Sequence, residues 1–283
     1  MKHLIVCADD FGLNGPVNEG VLALLQKKRL NAVSCMMVGD AIEHGAVELL
    51  KMREEVSMPF QTGLHLTFTE YAPLEPISTV APDGQFPSVG SLLLKSHLAR
   101  IDREEVKQEV MRQLDRFQEV FGHKPDFLDG HQHVHVLPIF REIVVELSKS
   151  RLAERGWVRS CRQPLASILG NRISIMRTAL ISRLSTGLRK SLVSNDIRTN
   201  DLFLGVNDFT AGQGFGDQMR KWLNRTADFD GKTVIMCHPA TEPEHASSIH
   251  DPIAAHRPHE LSYLLSDQFL SDLNNAELLL EDR

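Results

Sequence analysis

Two adjacent carboxylates, Asp9 and Asp10, close the apolar run Leu4-Ile5-Val6-Cys7-Ala8 and are followed at once by Phe11-Gly12. Acids paired where a buried strand ends are costly unless a cation, either a metal ion or a guanidinium, meets them. Residues of metal-ligand type recur in the same setting. His65 lies in Gly63-Leu64-His65-Leu66, three more imidazoles lie in Asp129-Gly130-His131-Gln132-His133-Val134-His135, and His238 follows Val234-Ile235-Met236-Cys237. Carboxylates and imidazoles that return wherever an apolar run stops indicate one site assembled from several strand ends.

Neighbouring residues of an ideal strand point to opposite faces, so Asp9 and Asp10 share a site only where the pleat breaks, and Phe11-Gly12 supplies a break. One Asp could then ligate a metal while the other accepts a proton. An extended chain would set Asp129, His131, His133 and His135 on one side, whereas an early helical turn would pair His131 with His135. In either geometry some of these imidazoles bind substrate or orient the ligands rather than ligate. A donor set of imidazole and carboxylate suits Zn²⁺ better than Mg²⁺, which prefers oxygen. His238, fixed before Pro239, reads either as a packed histidine or as a general acid. Arg159 interrupts an apolar strand, where its cation can hold a carboxylate of the site or of the substrate. Arg257 and Glu260, in His256-Arg257-Pro258-His259-Glu260, read as a surface ion pair.

The positioning elements alternate. Strands are expected at Leu4–Ala8, Ala32–Val38, Thr62–Phe68, Phe127–Asp129, Trp157–Cys161, Leu202–Val206 and Thr233–Cys237. Helices are expected at Asn18–Lys27, Ala41–Arg53, Asp102–Phe121, from Pro138 to about Ser150, and Leu261–Leu280. The stretch from Glu70 to Val89, rich in Pro and Gly, is too long for a routine connection and reads as a substrate-facing loop or insertion. The alternation predicts an α/β protein formed as a single irregular TIM-like (β/α) barrel over residues 1–283, with a helical region near 165–200. A doubly wound open sheet is the second choice, disfavoured because no GxGxxG follows the first strand.

A formal charge of −6 gives no reason to expect nucleic acid as a partner. Four cysteines without CxxC spacing predict buried free thiols in a reducing compartment. No apolar run approaches the ~20 residues of a membrane span, and Met1-Lys2-His3 leads into too short an apolar run for a secretory signal, so a cytoplasmic protein is expected. Arg172–Arg198 is rich in Arg, Ser and Leu and poor in acids. It reads as a solvated helix pair or as a surface that meets an anionic or lipid-linked substrate.

Ala8-Asp9-Asp10-Phe11-Gly12, Gly63-Leu64-His65, Asp129-Gly130-His131-Gln132-His133-Val134-His135 and Met236-Cys237-His238-Pro239-Ala240, in that order, resemble the YdjC-like carbohydrate deacetylases, a family that includes chitooligosaccharide and hopanoid-biosynthesis deacetylases. The resemblance implies a TIM-like barrel with one divalent ion, Mg²⁺, held by Asp10, His65 and His131; the donor types alone would select Zn²⁺. The expected reaction is hydrolysis of an N-acetyl group on an amino-sugar oligosaccharide or glycolipid. In it Asp9 takes a proton from water and His238, with His135 as second choice, protonates the departing amine. His135 and Arg159 are the expected substrate contacts, and a homodimer is compatible with this reading. A metal-dependent phosphoesterase, a glycoside hydrolase and a sugar-binding protein are the competing classes; the last is disfavoured by an aromatic content of 6%.

Overall fold

A computed structural model describes the chain except residues 57, 99–100, 165–174, 208, 210–213, 243–250 and 281–283. The strands are β1 (Lys2–Phe11), β2 (Ala32–Cys35), β3 (Gln61–Leu66), β4 (Phe127–Gly130), β5 (Trp157–Val158), β6 (Arg198–Thr199), β7 (Leu202–Leu204), β8 (Thr233–Cys237) and β9 (Leu278–Leu279). The helices are α1 (Gly15–Gln26), α2 (Ile42–Glu55), α3 (Val89–His97), α4 (Arg103–Phe121), α5 (Pro138–Arg151), α6 (Ile175–Ser194), α7 (Phe215–Ala227), α8 (Arg257–Leu265) and α9 (Asp267–Asn275).

The strands pair in parallel in the order β6-β5-β4-β3-β2-β1-β8-β7, and β9 adds to the start of β1. This is the cyclic order of a (β/α) barrel, with each strand beside its sequence neighbour, and not the reversed order of a doubly wound sheet. The sheet curls far enough for Phe203 of β7 to lie 5.7 Å from the Arg159 guanidinium that follows β5. Between β6 and β7 no backbone ladder is formed among the described residues. There the buried side chain of Asn200 takes the place of a strand: its carbonyl accepts from Ser160 N at 2.7 Å, and its amide donates to Ser160 O at 2.8 Å and Leu202 O at 3.0 Å. Phe203 N also donates to Arg162 O.

Local chemistry sets the elements. Asn14 caps α1 by accepting from Val17 N, with Pro16 in the first turn, where no N–H is needed. Asp102 caps α4, whose buried stripe of Val106, Val110, Leu114 and Phe117 packs on the sheet, and Gly122 ends it in the left-handed conformation. Gly63 leaves room for the Phe127 ring, which would lie 2.4 Å from a Cβ and which stacks on Trp157.

One expectation is corrected. Leu261–Leu280 is not one helix: α8 and α9 meet at Ser266, which is extended, and β9 follows α9. The Glu70–Val89 loop leads into a helix, α3, capped by Ser88. Of the helical region expected near 165–200, residues 165–174 lie outside the described residues, and α6 occupies most of the remainder. All four cysteines are buried free thiols. No helix of the described residues is long and apolar enough to cross a membrane.

Candidate functional site

The polar cluster sits at the carboxyl ends of the barrel strands, where the connecting loops of this architecture build sites. The pairing of β1 with β2 slips between Ala8 and Phe11, and Asp10 itself has φ 67°. That left-handed residue is the break in the pleat. It turns Asp9 and Asp10 into the same cavity, at a strain cost of about 1–3 kcal/mol that the surrounding packing must offset. Gly12, at φ 95°, lets the turn continue.

Asp10 is the hub. Its Oδ1 lies 2.9 Å from His131 Nδ1 and 3.2 Å from His65 Nε2, while Oδ2 accepts from Arg257 at 2.8 Å. Burial by itself would raise the Asp10 carboxyl, but Arg257 and then His131 hold it well below the usual carboxylate range. His65 and Asp129 are partners in the parallel register of β3 and β4, and His65 Nδ1 meets Asp129 Oδ1 at 2.6 Å. Ser34 of β2 donates to the same oxygen at 2.5 Å. This leaves His65 Nε2 aimed at Asp10. Burial opposes charge on His65, yet Asp129 and Asp9 with these bonds raise it to about 10.

Beneath this layer Arg159, fully buried, donates to both oxygens of Asp9 at 2.7 Å, approaches Asp129 Oδ2 at 2.5 Å and meets Cys7 Sγ at 3.0 Å. Arg159 therefore reaches both the Asp beside the cavity and the Asp that orients His65. Burial would raise Asp129, but Arg159 and His65 hold it far below its ordinary value.

The cavity is lined by Asp9, Asp10, His65, Glu70, Tyr71, His131, His133, Arg177, Asn207, Phe209, His238, Asp251 and Arg257, among others. Glu70 and Tyr71 bring the loop after β3 to its wall, Glu70 Oε2 lying 3.5 Å from His131 Nε2. Asp9, Asp10, His65, His131 and His238 are thus gathered around one space. His135 and Arg159 are not among its described lining residues. His135 is buried and its Nε2 donates to Arg159 O at 2.9 Å, with burial pushing its pKa down to about 4.

His131–Val136 forms a tight 3₁₀ stretch broken by left-handed Gln132 (φ 49°) and His133 (φ 62°), so neither the extended nor the helical geometry holds. His131 points to Asp10, while His133 and His135 flank the Cys161 thiol at 3.6 and 3.7 Å.

The surface-pair reading of Arg257 and Glu260 is wrong: both are buried, at 2% and 1% exposure. They lie one turn apart on α8 and grip the two halves of the site. Arg257 binds Asp10 and, through Nε at 2.7 Å, Asp251. Glu260 Oε2 accepts from His238 N at 2.6 Å, and its Oε1 lies 4.0 Å from His238 Nδ1 and 3.4 Å from His256 Nε2. Burial lowers His238, favouring the neutral ring, while Glu260, Asp10 and Asp9 pull the other way. Pro258 beside a strongly polar run could have flagged a helix start, but nothing local marks a partner 247 residues away.

Asp10, His65 and His131 offer ligand atoms all within 4.8 Å of one another, and so do Cys7, Asp9 and Asp129. The second trio already holds the Arg159 guanidinium. Around the first, the carboxylates Asp9, Asp10, Asp129 and Asp251, bound to the guanidiniums of Arg159 and Arg257, outnumber them by two, and Glu70 adds a further carboxylate beside His131. Protonated His65 and His131 offset much of this negative charge without a metal; a divalent cation would offset as much with both imidazoles neutral. The donor set and the charge both fit one divalent ion.

The fold resembles that of an Enterococcus faecalis protein provisionally described as a cellobiose-phosphate cleavage protein, with TM-score 0.72 and 19% identity over 99% of this chain and 97% of that one. A polysaccharide deacetylase from Bacillus cereus matches at TM-score 0.42 and 11% identity over 100% and 92% of the two chains. A deacetylase solved with substrate matches at 0.39 and 12% over 99% and 87%. Residues 3–275 match the family described as YdjC-like protein, and the chain belongs to that family.

Proposed function

We propose that this protein is a carbohydrate deacetylase that hydrolyses the N-acetyl group of an amino sugar or sugar conjugate with one divalent ion held by Asp10, His65 and His131. The observation that carries the reading is the convergence of those three ligand atoms within 4.8 Å, in a cavity that also presents Asp9 and His238. Bound there, the ion would polarise the amide carbonyl and acidify a water.

The chain's own groups divide the remaining work. Arg159 holds both oxygens of Asp9, a lining residue of the cavity, in place for this carboxylate to take the proton of the attacking water. His238, on the opposite strand end and anchored by Glu260, carries a proton to the departing amine. Asp129 holds the Nδ1 proton of His65, which leaves Nε2 as donor atom. Resemblance implies Mg²⁺ and the donor types favour Zn²⁺; metal content of the purified protein decides.

The competing hydrolases fit less well. A two-metal phosphoesterase needs a second ion ~3.5–4 Å from the first, and the neighbouring donor trio is taken by Arg159. A glycoside hydrolase works with two carboxyl groups that flank the scissile bond and would leave His65, His131 and His238 of the cavity without a role. The test is acetate release from N-acetylglucosamine oligomers and N-acetylated glycolipids, with metal content measured in parallel. Asp9→Asn should retain the ion and lose about 10²–10⁴-fold in turnover, whereas His131→Ala should lose the ion. Full acetate release by Asp9→Asn would sink the assignment of the base.

A further inference from the structure

The first half of α6 is inside out. It buries Thr178, Ser182 and Ser185, which line up on one side, and leaves Ile175, Met176 and Leu180 exposed at 37%, 86% and 48%. Met176 and Leu180 are one turn apart, and Arg183 and Lys190 continue the same outer face at helical spacing. Gly187, one position along that face, lies against the guanidinium of Arg141 from α5. From residue 155 to residue 195 the sequence contains no Asp or Glu, although the whole chain carries −6. Arg177, between Met176 and Thr178, lines the cavity, so this end of the helix stands at its rim.

A helix face of long apolar side chains flanked by cations and free of acids is suited to lie in the headgroup region of an anionic bilayer, with the apolar chains inserted and the cations at the phosphates. We propose that the outer face of α6 docks the protein on anionic lipid bilayers, with the cavity rim toward the membrane. A second copy of the chain is a poorer occupant. A two-fold contact would set this face on itself, cation against cation with no acid between them. Taken with the deacetylase reading, on which this corollary rests, docking makes a glycolipid resident in the membrane the substrate class.

The test is co-sedimentation of the full chain with vesicles of phosphatidylcholine containing roughly one third phosphatidylglycerol, and with phosphatidylcholine alone. Binding is expected to the anionic vesicles only and to weaken as salt rises. Met176→Glu with Leu180→Glu should reduce it about tenfold or more, while an unchanged melting temperature shows that the exposed substitutions leave the fold intact. No binding by the native chain, or equal binding by the double variant, overturns the proposal. So does a dimer in vesicle-free solution that the same substitutions dissociate, because a second copy would then be the occupant. Acetate release from a soluble N-acetylglucosamine oligomer should be the same for both proteins; its absence in the native chain would count against the deacetylase reading while leaving vesicle binding to stand or fall separately.

Discussion

Replacing Arg159 with Met keeps most of the side-chain volume but removes the one cation that Asp9 and Asp129 share. Both carboxylates are buried, at 2% and 0% exposure, and the guanidinium makes close contacts to Asp9 and Asp129 at 2.5–2.7 Å. Breaking a buried ion pair from one side costs roughly 3–5 kcal/mol, because the survivor stays unpaired. Against a total stability of about 5–15 kcal/mol this is a large fraction. At about 2–3 °C per kcal/mol for a chain of this size, the melting temperature should fall by roughly 6–15 °C. Turnover should fall further than stability explains, by about 10²-fold or more, since Asp9 loses the group that orients it. The loss also opens the donor trio of Cys7, Asp9 and Asp129, whose atoms lie within 4.8 Å of one another. Added Zn²⁺ should therefore restore part of the melting temperature in Arg159→Met, with two ions bound per chain instead of one. Calorimetry at pH 7 with and without metal, alongside acetate release, measures all three effects. A variant that melts within about 2 °C of the native protein and turns over normally would refute the reasoning that Arg159 holds the two layers together.

Loading the site with a divalent ion at neutral pH should release protons, up to about two, because His65 is raised to about 10 and His131 is raised as well before the ion arrives. Calorimetric titration in buffers of different ionisation enthalpy counts them. The same shift means that protonated His65 stabilises the ion-free protein fully below its ordinary value of 6.5 and that this contribution is lost as pH rises through about 10, so ion-free melting temperatures should fall across that window. Glu260→Gln keeps an acceptor for His238 N but removes a charge that raises the imidazole, so the alkaline limb of the activity profile should move to lower pH. Asn200→Ala strands the backbone groups of Ser160 and should cost about 2–3 kcal/mol in urea unfolding, with little change in metal content.

The elements that show in the sequence are those whose cause is local. The buried run of β1, the stripe of α4 and the late strand β8 all carry their periodicity or apolar character within a few residues. The convergence of Asp10, His65 and His131 was legible for a related reason: charge where an apolar strand stops demands a partner, whatever the fold. What escaped depends on long-range pairing or on rare backbone states. Arg257 and Glu260 look like ordinary surface charges until α8 packs on the barrel end and buries them. The directions of His133 and His135 follow from left-handed Gln132 and His133, a conformation that no spacing rule anticipates. The helix break at Ser266 has no glycine or proline to announce it, only a switch to extended backbone.

Where Asn200 stands in for a strand, the ring is fastened by one side-chain amide and the Phe203 N to Arg162 O bond instead of a full row of peptide bonds. A fastening of that kind has few bonds to release, so the wall formed by β6 and β7 should part before any other. Backbone amides there should exchange with solvent faster than those of β1 to β3. Since α6 and Val206 and Asn207 of the cavity wall flank that same gap, the barrel has a side along which a bulky guest could be admitted without disturbing the carboxylates and imidazoles opposite.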